Sequence, residues 1–175
     1  MKKAAAAAEN LSKFKMQNYF FLFSLPQKFS INLADLEKKY LEFQKQFHPD
    51  RSSAQDIEKS IEINQAYKIL SDDFSRACHL LQLKNIDILN DEKAVKVSQA
   101  TLMEVLELQE KISEISDKNE IEDLRKKINS ELKLLILDAV KQLEANKPED
   151  SAQTLIKGKY LKKSLEDLKI RKQKL

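Results

Sequence analysis

Residues able to do chemistry are few here: 175 residues hold two histidines, one cysteine and no tryptophan. His48 and Asp50 stand two apart in the tripeptide His48-Pro49-Asp50, where an imidazole and a carboxylate could form an acid–base pair. No nucleophile, oxyanion donor or third orienting group is fixed beside them by the sequence, so an enzyme active site is not supported. Taken alone, the tripeptide also fits an ordinary Pro-Asp turn after a helix. Cys78 has no internal disulfide partner, and one Cys with two His falls short of a zinc framework. It reads as a small packed residue in a reducing compartment. The expectation is a non-enzyme with no metal and no cofactor.

The elements that must position this tripeptide are helices. One Gly in the whole chain, Gly158, leaves nothing for the positive-φ turns of hairpins or for phosphate-cradling loops. Charged residues make up 34% and apolar residues 42%, a balance suited to amphipathic helices. A net charge of +3 argues against a dedicated nucleic-acid binder. No apolar run is long enough to span a membrane. Residues 1–16, with Lys2, Lys3 and five alanines, read as a disordered or loosely helical tail rather than a signal peptide.

Residues 19–25, Tyr-Phe-Phe-Leu-Phe-Ser-Leu, could by pattern be a buried strand or a short helix. With no second strand to pair it, a short helix serving as a core plug is expected. Asn32 can cap a helix whose stripe is Leu33, Leu36, Tyr40, Phe43 and Phe47, and Pro49 stops it by residue 48. A second helix runs from about Ala54 to Leu70 with Ile63, Ala66 and Leu70 inward. A short connection makes the two antiparallel. Ser71 or Asp72 then caps a helix carrying Phe74, Ala77, Cys78 and Leu81. After a polar connector over 85–95 come three longer amphipathic segments. They are Val97–Ser116, a stripe of Ile121, Leu124, Ile128, Leu132, Leu135, Ala139 and Leu143, and a helix after Pro148 bearing Leu155, Leu161, Leu165 and Leu168.

The His48-Pro49-Asp50 tripeptide, followed by Ile63-Asn64-Gln65-Ala66-Tyr67-Lys68-Ile69-Leu70-Ser71-Asp72 and Arg76-Ala77, resembles a J-domain, here over residues 17–84. J-domains stimulate ATP hydrolysis by DnaK-class chaperones. The resemblance therefore implies chaperone contacts for His48, Pro49 and Asp50. The preceding helix is neutral where the family usually shows a basic face, since Asp35, Glu37 and Glu42 offset Lys38, Lys39 and Lys45. Lys39, Lys45 and Arg51 are the cations best placed to pair with the chaperone, and Lys38 is expected to be merely solvated.

On the first segment beyond the connector, a 100° advance per residue gathers Val105, Leu108, Ile112 and Ile115 on a core arc. Leu102, Met103 and Leu106 lie further round, beside Glu107, Glu110 and Glu114. Two readings stand: the surplus apolar surface packs on another element, or it forms an exposed patch with an acidic rim for a partner. Three sequences then point to one family. Tyr19-Phe20-Phe21-Leu22-Phe23-Ser24-Leu25-Pro26, Arg76-Ala77-Cys78-His79-Leu80-Leu81 and Leu102-Met103-Glu104-Val105-Leu106-Glu107-Leu108-Gln109-Glu110 resemble HscB, the J-protein family of iron–sulfur cluster assembly. The likeness covers about residues 18–172. It implies an all-α protein, a J-domain followed by a C-terminal three-helix bundle over 96–175. Its partners would be a DnaK-class chaperone of HscA type and an iron–sulfur scaffold protein of IscU type. The scaffold contacts it implies are Leu102, Met103, Leu106, Glu107, Glu110, Glu114 and, on the last helix, Tyr160. The Cys-x-x-Cys zinc module of some eukaryotic relatives has no counterpart in this sequence, which implies a bacterial-type, cytoplasmic form. A monomer is expected, with self-association or other clients as the alternative use of the bundle.

Overall fold

The computed structural model describes residues 17–47, 54–90 and 96–175, which contain seven helices and no strand. They belong to two compact units that divide between Leu83 and Lys84. The first holds α1 (Tyr19–Leu22), α2 (Leu33–Gln46), α3 (Ala54–Ser71) and α4 (Asp73–Gln82). The second holds α5 (Gln99–Glu114), α6 (Lys118–Glu144) and α7 (Pro148–Lys174).

Asn18 starts α1 by accepting from the N–H groups of Phe20 and Phe21 at 3.1 and 3.3 Å. The helix stops after one turn in a Schellman closure. Leu25 N–H reaches the Phe20 carbonyl at 2.8 Å and Ser24 N–H the Phe21 carbonyl at 3.0 Å, with Ser24 at φ 47° where glycine usually sits. Phe20, Phe23 and Leu25 are buried, whereas Phe21 is 84% exposed. The aromatic run is thus only partly a plug, because a single helical turn presents one side to a core. Leu33 departs from its expected stripe in the same way and is exposed; as the first residue of α2 it lies beyond the packed length of the pair. The rest of that stripe holds: Leu36 is buried and Tyr40, Phe43 and Phe47 pack half-buried on Phe20, Phe23, Ile63, Ala66 and Leu70.

Arg76 is the buried charge of this unit, only 4% exposed. Its Nε donates to the Phe29 carbonyl at 2.9 Å, Nη1 to the Leu70 carbonyl at 2.6 Å and Nη2 to Asp73 at 2.5 Å. The guanidinium also lies 4.6 Å from the Phe29 ring centre. One side chain thereby ties the segment before α2, the end of α3 and the start of α4, with its donors directed to specific acceptors as a buried cation requires.

His79 is equally buried and fixes α1 on α4. Tyr19 N–H donates to its Nε2 at 3.2 Å, so the ring proton resides on Nδ1, facing Gln82 Oε1 at 3.4 Å. The ring stacks on Tyr19 and Phe20 with centroids 4.6 and 5.8 Å apart. Burial pushes its pKa below the ordinary histidine value, with the Gln82 contact acting weakly the other way. An unfolded histidine titrates near 6.5. The stabilising contribution of neutral His79 is therefore complete above about pH 6.5 and is lost as pH falls through the lower folded value. The unfolding midpoint of the first unit is expected to drop as pH is lowered from about 7.5 to 5.5. His79→Phe, which keeps the stack, should flatten that slope in melts followed across the range. An unchanged slope would place the pH dependence elsewhere.

In the second unit Ser98, Asp117 and Pro148 open the three helices. Ser98 Oγ accepts from Thr101 N–H at 3.1 Å, so α5 starts two residues later than its apolar pattern suggests. The turn between α6 and α7 is another glycine-free Schellman closure. Asn146 sits at φ 57°, its N–H on the Leu143 carbonyl at 3.1 Å, and Lys147 N–H reaches the Gln142 carbonyl at 2.8 Å. Along α6 Ile121, Leu124, Ile128, Leu132 and Ala139 are buried as expected, and Ile136 and Val140 are buried besides. Leu135 and Leu143 are left half-buried. At 100° per residue the buried face turns toward Ile136 and Val140 and leaves Leu135 at its edge; Leu143 lies between Ala139 and Val140 on the wheel but in the last turn of the helix. Ile88, in the segment expected as connector, is buried, and its carbonyl accepts from Lys159 Nζ of α7 at 3.2 Å. Gly158 is buried within α7 at an ordinary helical φ. It therefore makes no turn.

Candidate functional site

The first candidate surface is the end of the α2–α3 pair. His48, Pro49, Asp50 and Arg51 lie outside the described residues; the helices that flank them do not. Tyr40 of α2 stacks on Tyr67 of α3 with ring centres 4.0 Å apart and planes at 15°. Tyr40 Oη and Gln44 Nε2 both donate to Asn64 Oδ1, at 2.9 and 2.7 Å. These contacts make the pair antiparallel and explain why Asn64 and Tyr67 accompany the His-Pro-Asp tripeptide: they clamp the two helices on either side of it. Phe43 adds an edge contact to Phe23 at 5.6 Å and packs on Phe47 at 6.3 Å.

The expected cations differ in circumstance. Lys39 Nζ pairs with Asp35 at 3.0 Å and donates to the Ser24 carbonyl at 3.2 Å, so its charge first serves to tie α2 to the end of α1. Lys45, in the last turn of α2, is exposed, as is Lys38. The tie of Lys39 to Ser24 was not visible in the sequence, because Ser24 contributes a backbone carbonyl.

The second surface is the outer face of α5. Ile112 and Ile115 are buried and Val105 and Leu108 half-buried, whereas Leu102 is 42% exposed and Met103 and Leu106 are each 63% exposed. Glu107, Glu110 and Glu114 are also exposed. The surplus apolar residues of α5 therefore form an open patch with an acidic rim. Register bonds place α7 beside it. Lys157 pairs with Glu104 at 2.7 Å, Gln109 Nε2 donates to Ser164 Oγ at 3.1 Å, and Arg171 Nε donates to the Ile115 carbonyl at 2.9 Å. Numbers rise together, so α5 and α7 run parallel. Tyr160, one turn before Ser164 on α7, comes level with Leu106, about one turn before Gln109, and Leu102 lies one turn further back. It is half-buried.

Lys157 was not anticipated. It reaches Glu131 of α6 at 2.9 Å as well as Glu104 of α5, and these two acceptors raise its pKa. A cation on one helix thus joins three helices. No local pattern announces such a bridge, since its three members are far apart in sequence.

Among the described residues no group of His, Cys, Asp and Glu could hold a metal ion, and no helix is long and apolar enough to cross a membrane. The features define a class: an antiparallel helix pair flanking His-Pro-Asp, followed by a three-helix bundle with an open apolar–acidic face. In agreement, residues 18–79 match the DnaJ domain and residues 97–169 the HSCB C-terminal oligomerisation domain. The co-chaperone protein HscB of Proteus mirabilis is 30% identical over 86% of this chain and 93% of its own length. The iron–sulfur cluster co-chaperone protein HscB homolog of Arabidopsis thaliana is 28% identical over 86% of this chain and 62% of its own length. The crystal structure of the human co-chaperone protein HscB shares the fold, with a TM-score of 0.80 over 92% of this chain and 85% of that one at 24% identity. The chain belongs to the HscB family of J-domain co-chaperones. The relatives it matches are named for assisting chaperones, not for catalysis.

Proposed function

We propose that this chain delivers an iron–sulfur scaffold protein of IscU type to a DnaK-class chaperone of HscA type and stimulates the chaperone's ATP hydrolysis. His48, Pro49 and Asp50 make the chaperone contact, with Lys45 and Arg51 flanking them and Lys39 on the same helix, offset by Asp35. Leu102, Met103, Leu106, Glu107, Glu110, Glu114 and Tyr160 make the scaffold contact. The observation that carries this reading is the exposure of Leu102, Met103 and Leu106 beside three exposed glutamates, with Tyr160 level with Leu106 on α7. Exposed apolar groups with a charged rim are what a partner would bury.

In this mechanism the chain offers no reacting group. It binds one chaperone state better than the other and so shifts the population toward the hydrolysing state. Holding scaffold and chaperone on one chain raises the effective concentration of scaffold at the chaperone's binding cleft. Hydrolysis then locks the scaffold on, and cycling promotes cluster release.

The test measures ATP turnover by purified chaperone with the chain, with scaffold, and with both. Stimulation by both together should exceed the product of the separate effects. A merely additive response would remove the delivery role and leave a general J-protein. The family description of residues 97–169 as an oligomerisation domain favours one second reading, in which the bundle mainly self-associates.

A further inference from the structure

The two halves of α5 are anchored unequally. Its last turns bury Ile112 and are followed by the buried Ile115, and Gln109 on Ser164 and Arg171 on the Ile115 carbonyl tie them to α7. Its first turns carry Leu102, Met103 and Leu106 and are held less by packing. Val105 and Leu108 are only half-buried there. The reason is that α5 lies on α7, while an open groove of about 390 Å3 runs between it and α6.

Lys157 of α7 lines this groove, and its one ammonium holds Glu104 of α5 at 2.7 Å and Glu131 of α6 at 2.9 Å. At 100° per residue Glu104 lies about 160° around α5 from both Leu102 and Leu106. The carboxylate that is held thus stands on the back of the same turns whose front is the exposed face. All three members of the bridge are partly exposed, so it adds little to the stability of the bundle. What it fixes is the place of the loosely packed half of α5.

We propose that Lys157 is a positioning residue for the scaffold contact: acting through Glu104 and Glu131, it sets where Leu102, Met103 and Leu106 stand. The inference rests on the delivery reading above. Without the ammonium, Glu104 and Glu131 repel each other across the groove and push the first turns of α5 away from α6. A face that is no longer preformed must then be ordered at the expense of binding. The sign of the effect separates positioning from direct charge. The face is acidic, so the partner that fits it is basic, and removing a nearby cation would tighten binding if charge alone acted. Loss of position weakens it.

The experiment is calorimetric titration of a purified IscU-type scaffold into the full chain and its variants. Lys157→Met is expected to weaken scaffold binding about 2- to 30-fold, with helical content and melting as in the wild type. Lys157→Arg, which can still serve two carboxylates, should restore it. Glu131→Gln supplies the control that a general loss of folding would not mimic. It should weaken binding in the wild-type background but cause no further loss in Lys157→Met, where it relieves the repulsion. Unchanged or tighter binding by Lys157→Met overturns the proposal. So does an equal loss from Glu131→Gln in both backgrounds, which would make Glu131 a direct contact. A wild-type chain that captures no scaffold overturns the delivery reading itself, and the positioning role falls with it.

Discussion

His48→Gln is expected to return the chaperone's ATP turnover to its unstimulated rate while scaffold capture stays at the wild-type level. Glutamine keeps the approximate size and polarity but removes the imidazole and its capacity to change charge near neutral pH. Among the described residues the helix pair is held by Tyr40 on Tyr67 and by Tyr40 and Gln44 on Asn64, all within α2 and α3. Stability should accordingly change little, and the loss would be a loss of coupling. Coupling free energies between linked sites are typically about 1–3 kcal/mol, a factor of about 5–150. Steady-state turnover with the variant over a range of concentrations separates the cases. A curve that reaches full stimulation at higher concentration would mean that His48 contributes affinity alone. A flat curve would place it in the coupling itself.

Alanine at Leu102, Met103 and Leu106 together is expected to abolish scaffold capture and leave stimulation by the J-domain alone intact. Each truncation of a central contact costs about 1–2 kcal/mol. The three are neighbours on one helix face, so their effects will not simply add. All three side chains are exposed, and surface substitutions usually change stability by no more than about 0.5 kcal/mol. Unfolding of the bundle should therefore match the wild type, which distinguishes a binding loss from a folding loss. Calorimetric titration of scaffold into each chain would read the affinity directly. If this variant and His48→Gln fail in the same assay and pass in the same assay, the two surfaces do not act separately and the delivery mechanism is wrong.

The helix starts were largely legible because capping is local. Asn32 accepts from Ala34 and Asp35 N–H, and Asp72 from Ser75 N–H, as their positions before apolar periods suggested. The stop before Pro49 and the inward trio Ile63, Ala66 and Leu70 are equally local facts, set by a ring that forbids helix and by a 3.6-residue period. Failures came where one period was extended too far. Leu33 and Phe21 share an apolar pattern with buried residues but sit at a helix end and on the far side of a single turn. On α6, Ile136 and Val140 joined the core as its face turned past Leu135, and Leu143 was left half-buried by its place in the last turn.

The site divided along the same line. That α5 carries more apolar surface than one core stripe uses, with glutamates beside it, followed from the order of residues on a helix. Its exposure did not, because the same surplus could have packed on another element. Which α7 residues stand beside it depends on helix-to-helix register, fixed by Gln109 on Ser164, Arg171 on the Ile115 carbonyl and Lys157 between Glu104 and Glu131. By itself the sequence determined an all-helical chain with glycine-free turns, the His-Pro-Asp tripeptide between two amphipathic helices, and an acid-edged apolar face. Only the tertiary structure decided that Arg76 and His79 are buried ties, that Tyr160 is level with Leu106, and that Lys157 joins three helices. Periods and caps act through neighbours within about four residues. Register and buried polar partners depend on side-chain packing and backbone carbonyls from distant segments, which no local pattern encodes.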